Sequence, residues 1–139
     1  MKCKRFGDTL VVRPDRGEEL VTEIKDACEQ EKVKLGSIVG IGAVSHAVIG
    51  LYKVAEQKYC SNTFDGEMEL TSLTGNVTEV DGKVYLHLHA NFAMSDGRVV
   101  GGHLNEAVIS GTGEIFIHIL NGSMGRYRDA ETGLNVFDL

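Results

Sequence analysis

The stretch "VYLHLHANFAMSDGRVVGGHL", residues 84–104, reads as two β-strands joined by a tight turn. Successive side chains of a strand point to opposite faces of a sheet, so His87 and His89 project from the same face, together with Tyr85. The residues between and beside them face the predicted core: Leu86, Leu88 and Ala90. The stretch therefore predicts a hairpin with two histidines on the face away from the core.

The turn at residues 95–97, Ser-Asp-Gly, decides where His103 lies. A three-residue loop closed by a glycine in the left-handed region places His89 directly opposite His103, with Cβ atoms about 4.5–5.5 Å apart. A two-residue loop would instead pair His103 with Ala90 and send its side chain to the other face. We favour the three-residue loop because Gly97 occupies its third position.

Three histidines on one face form a candidate metal site. The imidazoles of His87, His89 and His103 would suit a tetrahedral divalent metal, zinc above all, and would leave one position for water or for a partner's group. Gly101 and Gly102 precede His103, and backbone without side chains lets another chain or a ligand approach closely. The alternative is that the three histidines are polar surface residues that bind neither metal nor substrate.

Other polar residues are weaker candidates. Glu67 and Glu69 lie on one face of a predicted strand. By default they are solvated charges, and the alternatives are that they supply a fourth metal ligand or a subunit contact. If a bound metal activates a water molecule, a carboxylate such as Glu69 could serve as general base. His46 and His118 are flanked by apolar residues on predicted strands, and we expect them to have a structural role.

The remainder of the chain predicts one helix and many strands. Residues 8–13 form a short apolar strand, and residues 17–32 place their apolar side chains at helical spacing. Gly40 and Gly42 divide residues 37–54 into two predicted strands. One strand, one helix and then many strands indicate an α+β fold, with a largely antiparallel sheet packed against one main helix.

Composition limits the class of protein. The 139 residues are about one domain, and the formal net charge of −6 argues against a chain-wide basic field for bare DNA. Cys3, Cys28 and Cys60 form no CxxC pair, so we expect reduced thiols, a cytoplasmic location and Cys28 in the core. With no signal-peptide pattern before the first predicted strand and no apolar run near ~18 residues, we expect neither secretion nor membrane insertion.

Several segments carry motifs of a known family. They are "VVRPDRGEELVTEIKDAC", "GSIVGIGAVSHAVIGLY", "TFDGEMELTSLTGNV", "HLHANFAMSDGRVVGGHL" and "EAVISGTGEIFI". Because "GIGAV", "LTGN", "HLHA" and "GGHL" occur in this order and spacing, about residues 3–120 resemble the PPC ("plants and prokaryotes conserved") domain in its stand-alone prokaryotic form. Residues 121–139 are less diagnostic.

The resemblance implies a fold, an assembly and a role. It implies one PPC-like domain over residues 1–139, with one main helix against a sheet, assembled as a homotrimer. It implies a DNA-binding or transcription-related role, with DNA or a DNA-associated protein as partner. Stand-alone relatives with "HLHA" and "GGHL" resemble metal-binding versions of the domain, which implies a metal at His87, His89 and His103.

The chain departs from the plant members of the family in two places. It lacks the arginine-glycine-arginine core of an AT-hook, which inserts into the A·T minor groove. The plant segment like "GRFEIL" that contacts partner transcription factors aligns with residues 66–71, where Gly66 and Glu69 match and Glu67 replaces arginine. Basic groups remain near both ends, and a trimer would repeat them three times: Lys2, Lys4, Arg5, Arg126 and Arg128.

Three functions stay open from the sequence. The first is a trimeric, DNA-associated regulatory module with a histidine-bound divalent metal. The second is a metal-dependent enzyme or small-ligand-binding protein that uses the same histidines, and the third is a purely structural trimer. A cupin is excluded because "ANFAM", without glutamate, follows the second histidine, and no Ser-His-Asp order, P-loop or dinucleotide fingerprint is present.

Overall fold

The computed structural model describes residues 1–139, which form eight strands, one α-helix and one short 3-10 helix. In chain order the elements are β1 (Lys2–Phe6), β2 (Thr9–Arg13), α1 (Leu20–Gln30), β3 (Gly36–Lys53), the 3-10 helix (Val54–Glu56), β4 (Lys58–Val80), β5 (Lys83–Ala93), β6 (Val99–Ile119), β7 (Arg126–Arg128) and β8 (Asn135–Phe137). The predicted α+β class, with a largely antiparallel sheet and one main helix, is confirmed.

The main sheet closes on itself. Its six strands follow the order β1-β2-β6-β3-β4-β5, and β5 also pairs with β6, so β3, β4, β5 and β6 form a closed ring of antiparallel strands. The 21-residue strand β6 makes this closure because its first part pairs with β5 and its last part with β2. The sequence suggested shorter strands here, but a single long strand spans both segments.

The helix packs its apolar stripe into the core. Four of its residues are buried: Leu20, Ile24, Ala27 and Cys28. Burial raises the pKa of the Cys28 thiol to about 12, as expected for a core cysteine. Helix α1 begins later than the predicted residue 17 because Glu19 caps it, accepting hydrogen bonds from the backbone N–H groups of Val21 and Thr22 at 2.9 and 2.7 Å.

The predicted division of β3 into two strands is wrong. Strand β3 is continuous, and its pairing with β4 shifts register between Gly40 and Gly42 and again between Val44 and His46. Side chains at the two glycines would collide with strand β6; a Cβ on Gly42 would lie 2.5 Å from the Thr112 carbonyl oxygen. The glycines therefore mark a bulge and a close approach of strands rather than a break.

A second bulge explains an imperfect alternation in β4. The β4–β5 pairing shifts between Leu70 and Ser72, so Leu70 and Leu73 are both buried although they are three residues apart. Further along, Asp81 and Gly82 form the tight turn between β4 and β5, with φ angles of 51° and 72°.

Three strands were not predicted: β1, β7 and β8. Strand β1 is an edge strand of mostly exposed residues, and it has no apolar alternation to indicate it. Strands β7 and β8 pair with each other near the end of the chain. The whole core, the four helix residues included, consists of 23 buried apolar residues, nearly all of them on the strands and the helix. No helix in the structure has both the length and the apolar character that crossing a membrane requires.

Candidate metal and ligand site

The β5–β6 hairpin has the register that the sequence favoured. The Met94 N–H donates to the Arg98 carbonyl at 2.8 Å, the Gly97 N–H donates to the Met94 carbonyl at 2.9 Å, and Gly97 has φ +82°. His89 therefore lies directly opposite His103. The prediction of a three-residue loop is confirmed, and the alternative that sends His103 to the other face is excluded.

The structure brings the three histidine side chains together. Their ring centroids lie 5.1 Å apart for His87 and His89, 5.2 Å for His87 and His103, and 5.6 Å for His89 and His103. One ring nitrogen from each lies within 4.8 Å of the others. Zinc–nitrogen bonds of tetrahedral geometry put ligand nitrogens about 3.4 Å apart, so a small rotation of the rings would fit a divalent metal.

Their surroundings keep two of these histidines neutral. Burial lowers the pKa of His87 to about 4, and electrostatic interactions with His103, His89 and Arg126 lower it further. Burial lowers the pKa of His103, and the neighbouring His89 lowers it further. A neutral imidazole offers a lone pair to a metal, so the two rings are ready to act as ligands at neutral pH.

The histidines form part of the floor of an open pocket of about 650 Å³. Aromatic and aliphatic side chains and two amides complete its lining: Leu51, Tyr52, Tyr59, Asn76, Tyr85, Leu134, Asn135, Val136 and Phe137. Arg126 also lines the pocket, but no carboxylate does. Glu69, the suggested general base, lies instead in a separate groove beside Ile41 and Thr112.

Arg126 is a pocket residue that sequence reasoning missed. Its guanidinium donates to Thr78 Oγ1 at 2.8 Å, to the Asn135 carbonyl at 2.7 Å and to Asn76 Oδ1 at 2.8 Å. It also lies over the rings of Tyr85 and Phe137, 4.8 and 4.4 Å from their centroids. Arg126 is thus fixed inside the pocket and is not a member of the exposed basic group expected near the end of the chain.

Tyr59 closes the other side of the cluster. Its ring meets the His103 ring edge-on, with centroids 6.0 Å apart, and its hydroxyl donates a hydrogen bond to Asn105. Burial raises the pKa of this hydroxyl, so it stays protonated at neutral pH. Its position on β4 opposite Tyr52 gave no sequence signal for a place beside the histidines.

The residues suggested as interface contacts lie in several places. Gly66 and Glu67 line a groove with Phe64 and Arg98, away from the histidines. A Cβ on Gly102 would lie 2.7 Å from the Gly50 carbonyl oxygen, and one on Gly101 would collide with Asn91. The close approach at these glycines is therefore made by strands of the same chain. A role of the five interface residues in contacts with other chains stays a prediction.

The two other histidines have partners outside the pocket. His46 Nδ1 lies 2.6 Å from an Asp65 carboxylate oxygen, and its Nε2 lies 3.8 Å from Glu106. His118 Nδ1 lies 3.3 Å from the Thr9 hydroxyl. Both histidines join neighbouring strands, in keeping with the structural role expected of them.

Comparison with known proteins decides the family. Residues 1–121 match the family model of the Plants and Prokaryotes Conserved (PCC) domain, the domain abbreviated PPC above. The chain belongs to the PPC-domain family. The predicted membership is confirmed, and the family model ends before the β7–β8 hairpin that supplies Arg126. No curated protein matches the chain.

Three solved structures are similar to this protein over nearly the whole chain. A proposed DNA-binding protein of Bacteroides thetaiotaomicron is 31% identical, with a TM-score of 0.96 over 99% of this chain and 96% of that one. A metal-containing protein of Archaeoglobus fulgidus is 35% identical, with a TM-score of 0.89 over 99% of both chains. A PPC protein of Pyrococcus horikoshii is 32% identical, with a TM-score of 0.86 over 99% of this chain and 94% of that one.

Proposed function

We propose that this chain is a cytoplasmic PPC-domain regulatory module. One domain over residues 1–139 assembles as a homotrimer, binds a divalent metal, zinc above all, through His87, His89 and His103, and associates with DNA or with a DNA-associated protein. The observation that carries the proposal is the convergence of three imidazole rings in one pocket.

The metal part of the proposal is supported by the donor set. Three neutral nitrogen ligands with one position left open are typical of zinc sites that bind a further group. The 35%-identical Archaeoglobus protein contains a metal. When bound, the ion would supply a Lewis acid at the pocket floor. The chain's own residues hold it there, and Tyr59 and Arg126 limit the directions from which a further group can approach.

Metal content tests this part directly. Protein stripped with a chelator, reloaded with zinc and dialysed is expected to retain about one zinc per chain by elemental analysis. His103→Ala is expected to lose it, because two imidazoles hold zinc far more weakly than three. His118→Ala removes an exposed histidine outside the pocket and is expected to retain it. Retention below about 0.2 zinc per wild-type chain would refute the metal site.

The DNA part of the proposal is supported by the relatives and by one exposed basic group. The 31%-identical Bacteroides protein is a proposed DNA-binding protein. Lys2, Lys4 and Arg5 are exposed on edge strand β1, and a trimer would present this group three times. Since the net charge is −6, binding to bare DNA would depend on such local clusters.

Salt dependence tests this part. Fluorescence anisotropy with a labelled duplex is expected to show binding at about 20 mM salt that weakens steeply by about 200 mM. Replacing Lys2, Lys4 and Arg5 with glutamine is expected to abolish it, whereas replacing Lys25, Lys34 and Lys83, which are exposed elsewhere, is not. If the wild-type protein does not bind even at low salt, direct DNA contact is refuted and a DNA-associated protein remains as partner.

The pocket also favours the second candidate function, a metal-dependent enzyme or small-ligand-binding protein. A metal with a purely regulatory role needs no large cavity beside it. The cavity beside these histidines has a volume of about 650 Å³, and it is lined by an arginine that three hydrogen bonds hold in place. Small-molecule sites commonly combine an apolar wall with a few convergent polar groups, which is the arrangement seen here.

A further inference from the structure

The pocket beside the histidines has an excess of positive charge once a metal is bound. Its titratable lining consists of three histidines, two of them with lowered pKa, three tyrosines and Arg126. A divalent ion held by neutral imidazoles would add two positive charges to that of Arg126, and no carboxylate lines the pocket. Partly buried charges without partners are costly, so such a pocket favours an anion.

Arg126 has donors free to bind an anion. A guanidinium has five N–H donors, and three of them are used by neutral acceptors on Thr78, Asn76 and Asn135. Two donors remain without a protein partner, and no carboxylate lies within salt-bridge distance. The rings of Tyr85 and Phe137 hold the guanidinium plane in place, so little side-chain entropy is lost when it binds a ligand.

Arg126 and the histidines are neighbours across the sheet. Asn76, which accepts a hydrogen bond from Arg126, pairs directly with His87 on β5. Apolar and aromatic side chains line the pocket around them, including Leu134, Val136 and Phe137. A carbon skeleton fits such a wall better than a bare inorganic oxyanion does.

We infer that the pocket binds a small organic carboxylate, one end of which contacts Arg126 while a second oxygen donor completes the coordination of the metal. The ligand class is a short dicarboxylic, hydroxy or oxo acid. This inference rests on the proposed metal site, and it assigns Arg126 as the residue that selects an anionic ligand.

Cobalt(II) provides a test that reads metal and ligand separately. The stripped protein loaded with cobalt(II) is expected to show the visible absorption of a tetrahedral site, and malonate, succinate or glutarate is expected to change that spectrum in a saturable way. Neutral succinamide is expected to bind at least about tenfold more weakly than succinate. This comparison uses the wild-type protein alone and so does not depend on how a variant folds.

Two arginine variants then locate the anion site. Arg126→Gln is expected to keep the cobalt spectrum and to weaken the tightest dicarboxylate at least about tenfold, whereas Arg128→Gln, an exposed arginine on the same strand, is expected to bind it normally. A cobalt spectrum that no dicarboxylate alters, or that changes equally in Arg126→Gln, overturns the ligand inference and leaves the metal site standing. If no cobalt spectrum forms, the metal site itself is refuted.

Discussion

At the scale of single residues, His87 experiences the most strongly perturbed environment of the cluster. Its neighbours His89, His103 and Arg126 all oppose a positive charge on its ring. Together with burial, these neighbours keep the imidazole neutral well below its ordinary pKa. The same environment that prepares the ring to bind a cation makes its protonation costly when no metal is present.

The acid stability of the metal-free protein is expected to report on His87. Its folded pKa of about 4 lies below the ordinary 6.5, so between these values the unfolded chain binds a proton that the folded chain does not. The contribution of His87 to stability is therefore present above pH 6.5 and is lost as the pH falls toward 4. Urea unfolding in EDTA at about pH 7, 6 and 5 measures the free energy of unfolding.

A pair of variants separates His87 from general acid effects. His87→Asn is expected to flatten the dependence of the free energy of unfolding on pH, and His118→Asn, at an exposed histidine outside the pocket, is expected to leave it unchanged. Equal slopes for wild-type protein and His87→Asn would contradict this account of the environment of His87.

At the scale of elements, the pocket depends on four strands and one hairpin. Strand β3 supplies Leu51 and Tyr52. Strand β5 supplies His87 and His89, β6 supplies His103, and β4 supplies Asn76 and Tyr59. The β7–β8 hairpin forms the opposite wall, and it is tied to β4 by the hydrogen bond from the Glu79 N–H to the Met124 carbonyl at 2.9 Å. The histidine floor and the Arg126 wall thus come from separate parts of the chain.

This division explains which parts of the site the sequence reveals. The histidine cluster is local, since one turn type and the period of a strand are enough to place His89 opposite His103. Arg126 comes from a segment of weak pattern and reaches the pocket only through tertiary packing. Gly40 suggested the end of a strand because glycine is typical both of strand ends and of places where two strands approach closely. The sequence alone does not distinguish these two cases.

The spacing of strands β3 and β6 is expected to control metal binding. A Cβ at position 102 would lie 2.7 Å from the Gly50 carbonyl oxygen, directly beside His103. Gly102→Ala must therefore push β6 away from β3, at a cost of about 1–3 kcal/mol in the free energy of unfolding. The displaced His103 is expected to weaken zinc binding at least about tenfold.

Gly125→Ala is the matched control for this variant. The nearest heavy atom to a Cβ on Gly125 is 4.0 Å away, so little strain is expected. Thermal unfolding and zinc competition with a chromophoric chelator measure the two effects. If Gly102→Ala and Gly125→Ala have the same thermal stability and the same zinc affinity, the close approach of β3 and β6 does not control metal binding.

At the scale of the whole molecule, the outer face of the sheet has an uncovered apolar row. Val39 on β3 pairs directly with Phe116 on β6, Ile41 lies beside them, and the three are 43%, 43% and 53% exposed. The same row continues through Thr74 to His89, because Val39 pairs with Thr74 and Thr74 pairs with His89. An apolar row of this kind, leading to the histidines, suits contact with another copy of the chain.

The proposed homotrimer is therefore expected to depend on this row. Light scattering coupled to size exclusion is expected to give three times the 15.1 kDa mass of the chain. Phe116→Glu introduces a charge into the apolar contact and is expected to give the mass of one chain. Val99→Glu, at a residue 57% exposed at the other end of β6, is expected to leave the trimer intact. A wild-type protein that remains a single chain at every concentration would refute the proposed homotrimer. The row connects the trimer contact to His89 on one face of the sheet. If Phe116→Glu both dissociates the trimer and loses zinc, the neighbouring chain therefore helps to hold His89 in place.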